Sequence, residues 1–232
     1  MRMLKFVQKG KMRESLLTAM LLALVGGFLD IYTYLARGRV FANTQTGNLV
    51  LLGYNLAKGN ANKVIYYLLP LFFFSVGVVL TKVVEHRFHE SKVFNWIHAS
   101  IGIELGVLLI VAFIPAGPYN VVANILVSFA CGLQAQTFRK VNGNAYSTTM
   151  FTGNLKNAAE RLTHYFLNHD EEALENGLVY CAVIIMFILG ATLGDWIISI
   201  LGERAVLFAC QILVIVFYIL YFERGEKRMK TP

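Results

Sequence analysis

The sequence has few charged residues and few cysteines. Asp, Glu, Lys and Arg make up 15% of the 232 residues, whereas 56% of the residues are hydrophobic. This composition excludes an ordinary soluble domain, in which about a quarter of the residues are charged. The three cysteines, Cys131, Cys181 and Cys210, lie in apolar segments and show no CxxC or Cys/His spacing. We therefore interpret them as small packing residues rather than metal ligands.

Catalytic signatures are also missing from the sequence. Nothing in it resembles a Walker phosphate loop, an HExxH or GxSxG motif, or a Ser/His/Asp order. We therefore predict that the chain is not an enzyme and uses no cofactor. The segment EHRFHE places His86 and His89 three residues apart beside two glutamates. Its mixed charges are more typical of a cytoplasmic helix extension than of a metal site, so we predict no bound metal.

Long apolar runs dominate the chain. A run of about 20 such residues matches the ~30 Å hydrocarbon core of a bilayer. These runs lack the polar/apolar alternation of barrel strands, so we predict helices. The fold class is an all-α integral membrane protein with six transmembrane helices. The predicted spans are Ser15–Ala36, Val64–Thr81, Val93–Ile114, Tyr119–Phe138, Asn176–Ile200 and Ala205–Phe222. The first is too long for a signal-peptide core, so we expect an uncleaved span.

The distribution of basic residues predicts the orientation. With the N-terminus in the cytoplasm, 16 of the 21 Lys and Arg residues fall in inside segments and 5 in outside segments. The positive-inside rule therefore predicts that both termini are cytoplasmic. The net charge of +7 is explained by anionic lipid head groups rather than by nucleic acid, because the basic residues are scattered through short loops and tails. The expected partners are membrane lipid and a small molecule or ion, and homo-oligomerisation is left open.

A four-residue motif, Thr-Gly-Asn-Leu, occurs twice, in FANTQTGNLVLLG (41–53) and in STTMFTGNLKNAA (147–159). The two copies are 106 residues apart, and the same offset pairs Gly26 with Gly132 and Asp30 with Gln136. Each half then reads as span, motif, span, span. Because three is an odd number, the two halves must face opposite sides of the membrane, which predicts inverted repeats.

The predicted organisation is a single membrane domain with two tails. The repeats cover 15–115 and 116–222, and basic cytoplasmic tails cover 1–14 and 223–232. Short helical elements follow each motif. The first is almost wholly apolar and is predicted to be immersed, whereas the second is charged and is predicted to lie on the membrane surface.

The quoted motifs also resemble a known family. GGFLDIYTYLARGRVFANTQTGNLVLLG, CGLQAQTF and STTMFTGNL are similar to the YoaK-like family of uncharacterised bacterial multi-pass membrane proteins. The resemblance covers residues 15 to 222. It implies a protein of about six spans in the bacterial plasma or inner membrane, and it implies no substrate or activity.

Polar residues within and beside the spans are the candidate binding residues. Asp30 is predicted ~22 Å and Glu104 ~16 Å into the membrane, where a carboxylate costs about 2.5–3.5 kcal/mol. Such residues carry protons or ions, or make interhelical hydrogen bonds. Amides in the second half stand where the first half has acids: Gln136 aligns with Asp30, and Gln211 approaches Glu104 when slightly different gaps are allowed. The predicted substrate or ion site comprises Asp30, Asn43, Gln45, Thr46, Gly47, Asn48, Glu104, Gln134, Gln136, Thr152, Gly153, Asn154 and Gln211.

Three functions are compatible with this pattern. The first is a secondary transporter or permease for a small solute, with proton coupling through Asp30 or Glu104 and a central site between the repeats. The second is a passive channel whose paired half-helices form a filter. The third is a scaffold or regulator that acts through partners. In the first two, Thr and Asn oxygens or helix-start amides at the motifs would contact the solute.

Overall fold

The computed structural model describes residues 12–89, 95–149 and 151–230, the side chains of Met12 and of 223–230 excepted. The helices are α1 (Leu16–Ala36), α2 (Gln45–Ala57), α3 (Ala61–Phe88), α4 (Trp96–Val111), α5 (Asn120–Thr137), α6 (Phe151–Asn168), α7 (Glu171–Leu201) and α8 (Leu207–Lys230). Short 3₁₀ helices cover Met12–Glu14 and Gly202–Val206, and two-residue strands cover Lys140–Val141 (β1) and Asn144–Ala145 (β2). Residues 1–11 of the predicted tail, 93–94 of the third predicted span and 231–232 lie outside the described residues.

Each predicted span coincides with a helix, so the all-helical fold class is confirmed. In the described part of the chain, three stretches are long and apolar enough to cross a membrane: Leu16–Ala36, Ala61–Phe88 and Glu171–Phe222. The last of these contains α7 and most of α8. Helices α4 and α5 have 16 and 18 residues, or about 24 and 27 Å of rise, slightly less than the core of a bilayer. The presence of six spans therefore remains a prediction.

The outer surface of the bundle is strongly apolar. On α3, the side chains of Ile65, Phe72 and Val79 are 55%, 59% and 61% exposed. Trp196 and Ile200 on α7 are 65% and 64% exposed. Apolar surfaces of this extent are rare on soluble monomers and mark a membrane or partner interface. With the long apolar helices, they indicate a membrane protein.

The most extensive helix–helix contacts join helices from different halves of the chain. Helix α1 packs most extensively on α7, and α5 packs most extensively on α3. The short helices α2 and α6 pack on α3 and α7, respectively, and α4 contacts both α5 and α8. The first helix of each half is therefore held by the second long helix of the other half.

Glycines allow the close approach of α1 and α7. A Cβ atom on Gly27 would overlap the backbone carbonyl of Phe187, and a Cβ on Gly190 would overlap that of Leu24. Small residues at such crossings let helix backbones touch in membranes, where packing rather than the hydrophobic effect holds helices together.

The crossing of α3 and α5 repeats this arrangement. A Cβ on Gly132 would overlap the carbonyl of Phe74, and a Cβ on Gly77 would overlap that of Phe129. In both crossings each glycine faces a carbonyl three residues before the opposing glycine. The two helix pairs thus share one local geometry.

Two apolar cores meet at α1. One contains Phe28 of α1 together with Ile101, Val127 and Leu213 of α4, α5 and α8. The other contains Leu16 and Ala23 of α1 with Ala158 and Val183 of α6 and α7. Because α1 contributes to both, it is the helix around which the others are arranged.

The β1–β2 hairpin positions the segment that leads to the second motif. Its turn residues, Asn142 and Gly143, have φ angles of 48° and 83°, as a two-residue turn of type I′ requires. The amide of Asn142 donates to the carbonyl of Glu14 at 2.7 Å, which fixes the hairpin to the start of α1. Burial raises the pKa of nearby Tyr146 above its ordinary value of 10.0, so this hydroxyl stays protonated at physiological pH.

Candidate functional site

Asp30 holds the loop that leads into α2. One carboxylate oxygen, Oδ1, accepts from the backbone amides of Asn43 at 2.9 Å and Thr44 at 3.1 Å, and Oδ2 accepts from the Thr44 hydroxyl at 2.8 Å. Thr44 is the N-cap residue of α2, and its own side chain makes no capping hydrogen bond. Asp30 therefore caps α2 from a neighbouring helix, and its negative charge suits the positive end of the helix dipole.

The asparagine of each motif fastens a loop to its helix. Asn48 accepts from the amide of Phe41 at 3.1 Å and donates to the carbonyl of Phe41 at 2.7 Å. Asn154 makes the same two bonds with Ser147, at 3.2 and 2.7 Å. Both asparagines are almost completely buried. The motif is thus repeated because each copy closes an equivalent loop between two residues seven positions apart.

The two motif loops meet in the interior of the protein. Asn43, five residues before Asn48, donates through Nδ2 to the carbonyl of Thr148 at 3.0 Å, and both residues are completely buried. Gly26 of α1 lies against this contact, and a Cβ there would come 2.8 Å from Asn43 Nδ2 and 3.0 Å from the Thr148 carbonyl. The two motif loops therefore touch at this point beside α1.

Both residues of this contact carry a buried oxygen with no hydrogen-bond partner within 12–89, 95–149 and 151–230, Asn43 Oδ1 and Thr148 Oγ1; elsewhere on α5 and α4, Gln134 Oε1 and Glu104 Oε1 are also buried and unpaired. The amide of Gln134 donates to the carbonyl of Leu22 at 3.4 Å, one helical turn before Gly26. Because both amide nitrogens point at carbonyls, the unpaired atoms of Asn43 and Gln134 are their acceptor oxygens. Leaving such an atom unsatisfied costs about 1–3 kcal/mol.

The two buried carboxyl groups share a neighbour. Asp30 and Glu104 both lie within electrostatic reach of Cys131 on α5, and Glu104 also lies within reach of Cys210 on α8. Glu104 is 1% exposed. The two acids predicted from the sequence as candidates for proton coupling therefore both lie near one position of α5. Within the described residues, no group of three or more His, Cys, Asp or Glu side chains is arranged to hold a metal ion.

Comparison with known proteins gives the family. Residues 18–219 match the family model described as "Protein of unknown function (DUF1275)". The chain belongs to this family. It is 27% identical over 188 residues to the "UPF0700 transmembrane protein YoaK" of Bacillus subtilis (strain 168), which covers 77% of this chain and 81% of that protein. No solved structure matches the chain. The YoaK-like resemblance carried by the motifs is confirmed, and the relative's name agrees with a membrane location.

Other predicted site residues of this DUF1275 protein lie outside the buried centre. Gln45 is half-buried and donates to the Ala42 carbonyl at 2.6 Å. Gly47 and Gln136 are also half-buried, whereas Thr46, Thr152 and Gly153 are exposed. In both copies, therefore, the Asn of the motif points inward, and its Thr points outward.

Gln211 is a correction to the predicted site. It is exposed on α8, between buried Cys210 and Ile212, so the structure does not place it beside Asn43. The alignment of the two halves paired Gln211 with Glu104. Such an alignment predicts the depth of a residue along its span but not the face of the helix on which it lies.

Arg37 is a buried residue whose contacts the sequence did not reveal. Its side chain is completely buried and donates to Tyr32 Oη at 2.8 Å, to the Ile114 carbonyl at 2.8 Å and to the Val111 carbonyl at 3.1 Å. These carbonyls belong to the end of α4, where the helix dipole is negative. The carbonyl of Arg37 also accepts from Asn124 at 2.8 Å. Arg37 therefore joins the end of α1 to α4 and α5.

Replacing Asn48 with alanine should lower the free energy of unfolding by about 2 kcal/mol, because the amide and carbonyl of Phe41 lose their partners. The measurement is the fraction of folded monomer by size-exclusion chromatography after heating in detergent. Asn55→Ala is the matched control, because Asn55 is also buried on α2 but donates only to Leu51 within its own helix, at 2.8 Å. Equal stability of the two variants would contradict a fastening role for the motif asparagine.

Proposed function

We propose that this protein is a secondary transporter for a small solute, with one site between two inverted three-helix repeats. The observation that carries the proposal is the buried contact between Asn43 and Thr148, each of which holds one oxygen without a hydrogen-bond partner among the described residues. Residues from both halves meet there, as expected for a site at a repeat interface near the middle of the membrane.

The inverted arrangement of six spans is supported by matching local geometry. Helices α1 to α4 correspond in order to α5 to α8. The crossing of Gly27 with Gly190 has its counterpart in that of Gly132 with Gly77, and the bonds of Asn48 have theirs in Asn154. Two equivalent loops around one centre supply two equivalent gates, which alternating access requires.

The chemistry of the unpaired atoms favours a solute that donates hydrogen bonds or carries a positive charge. Asn43 Oδ1 and Gln134 Oε1 can only accept, and Thr148 Oγ1 can do both. Glu104 is better suited than Asp30 to exchange a proton, because both oxygens of Asp30 already accept hydrogen bonds. We therefore assign coupling to Glu104 and loop anchoring to Asp30.

A second candidate is a scaffold that does not transport. The complete burial of Asn43 and Thr148 favours it, because a packed centre gives a solute no path. A transporter in a closed state has the same appearance. A measurement of solute flux therefore distinguishes the transporter from the scaffold.

Thr148→Val should separate the two candidates. Valine has the shape of threonine without the hydroxyl, and Thr148 Oγ1 has no partner within the described residues. A purely structural position should therefore tolerate valine or gain stability. If Oγ1 contacts the solute, the apparent affinity for it should fall about tenfold, since about 1.4 kcal/mol is lost.

The assay uses purified protein in liposomes loaded with a pH-sensitive dye, with small cations, amines, amino acids, nucleobases and sugars added outside. Thr192→Val, on the exposed surface of α7, is the matched control. Solute-dependent proton movement that Thr148→Val weakens and Thr192→Val retains would support the proposal. Absence of solute-dependent movement in the well-folded protein would favour the scaffold.

A further inference from the structure

A basic cavity lies where α5 ends and α1 begins, away from the central contact. It has a volume of about 420 Å³, and its lining includes Arg13, Glu14, Thr137, Arg139 and Lys140. Ligand pockets typically have volumes of about 300–1,000 Å³. The cavity is therefore large enough for a small ligand or a lipid head group.

The charges around the cavity do not cancel. Arg13 forms an ion pair with Glu14 at 3.5 Å. Glu85 forms ion pairs with both Arg139 and Lys82, each at 3.0 Å. These five residues with Lys140 make four cations and two carboxylates, a net charge of +2 among the described side chains of the group. A group of this charge attracts an anion.

The surroundings strengthen that attraction. Phe138, which is 1% exposed, also lines the cavity. The guanidinium of Arg13 lies 5.9 Å from the ring centre of buried Trp96. The ring of Phe138 excludes water from one side of the cavity and lowers the local dielectric constant there, so an ion pair formed on that side is stronger than one in open water. The side chain of Arg139 is 51% exposed and can turn toward an incoming ligand.

We propose that this cavity binds a phosphate group, carried by an anionic lipid or by a soluble phosphate ester. Arginine presents a planar fork of donors that matches phosphate oxygens, and Arg13 and Arg139 flank the cavity with Lys140. In the predicted orientation the cavity opens at the cytoplasmic surface, where basic pockets meet anionic head groups. This binding site is separate from the proposed transport site and does not depend on it.

Two variants test the proposal on the purified full chain. Lys140→Gln removes one cation that forms no ion pair among the described residues, and Arg139→Gln removes the guanidinium next to Glu85. Lys156→Gln is the matched control, because Lys156 on α6 is 72% exposed, its ion pair within the described part of the chain is with exposed Glu160, and it is absent from the cavity lining. Native mass spectrometry counts bound phosphatidylglycerol, with zwitterionic phosphatidylcholine as the reference lipid. Calorimetry measures binding of glycerol 3-phosphate.

We expect Lys140→Gln and Arg139→Gln each to weaken phosphate binding about tenfold, the loss of one charge-assisted hydrogen bond, and Lys156→Gln to bind as the native chain does. Selective retention of phosphatidylglycerol identifies the ligand as lipid, whereas binding of glycerol 3-phosphate alone identifies a soluble ester. The proposal is overturned if the native chain prefers neither phosphate ligand. Equal binding by the cavity variants and the control would also overturn it.

Discussion

Gly27→Ala should be the most damaging single-methyl change in this protein, lowering the free energy of unfolding by about 3 kcal/mol. The added Cβ would overlap the backbone carbonyl of Phe187, which cannot move aside as a flexible side chain can. Helix α1 would have to separate from α7, its main partner. We expect low yield of monomer and a melting temperature well below that of the native chain, measured by fluorescence-detected size-exclusion chromatography after heating.

Gly106→Ala is the matched control for this experiment. Gly106 lies in α4, and among the described residues no atom comes within 4 Å of a Cβ placed there. Alanine should therefore keep or improve stability, by up to about 1 kcal/mol of helix propensity. If Gly27→Ala melted at the same temperature as Gly106→Ala, the close approach of α1 and α7 would be refuted.

Asp30→Ala is expected to have the second largest effect, again a loss of about 3 kcal/mol. Two backbone amides and the Thr44 hydroxyl lose their shared acceptor, and hydrogen bonds to a charged group are worth about 1.5–3 kcal/mol each before the loop relaxes toward water. Release of Asn43 should also break its contact with Thr148. Asp30→Asn keeps one acceptor oxygen and should lose about half as much.

Both Asp30 variants are measured for thermal stability and for solute-dependent proton movement. Asp195→Ala, at an exposed position of α7, is the control for removing an aspartate from this chain. Full stability of Asp30→Ala and Asp30→Asn, together with loss of proton movement, would show that Asp30 handles ions and does not anchor the loop. Loss of stability in the order Ala, then Asn, would support the anchoring role.

The helices of this protein could be predicted from the sequence because apolar runs of about 20 residues have few alternatives to helix in a membrane. The recurrence of Thr-Gly-Asn-Leu in the same order of elements was also visible in the sequence. The sequence did not show which helices pair. The glycines of α1 and α7 mark positions where helices can pack closely, but the sequence does not say that each packs on a helix of the other half of the chain.

The candidate site was predicted only in outline. Asp30, Asn43 and Asn48 were singled out, yet the structure gives Asp30 and Asn48 backbone partners close in sequence. Thr148 was missed because it lies six residues before the motif asparagine and carries no charge. Arg37 is one of the five basic residues assigned from the sequence to outside segments, and its burial was missed because its acceptor at Ile114 lies 77 residues further along. Such long-range contacts leave no local signal in one sequence.

Because the first helix of each half packs on a helix of the other half, the order of synthesis affects when the protein can fold. Helix α1 leaves the ribosome well before α7, and at about 5–20 residues per second the delay is on the order of ten seconds. During that time the glycine-bearing surface of α1 has only lipid, the insertion machinery or a chaperone against it. Neither half can complete its packing alone. The packing of the nascent chain is therefore completed only when α7 and α8 have been synthesised.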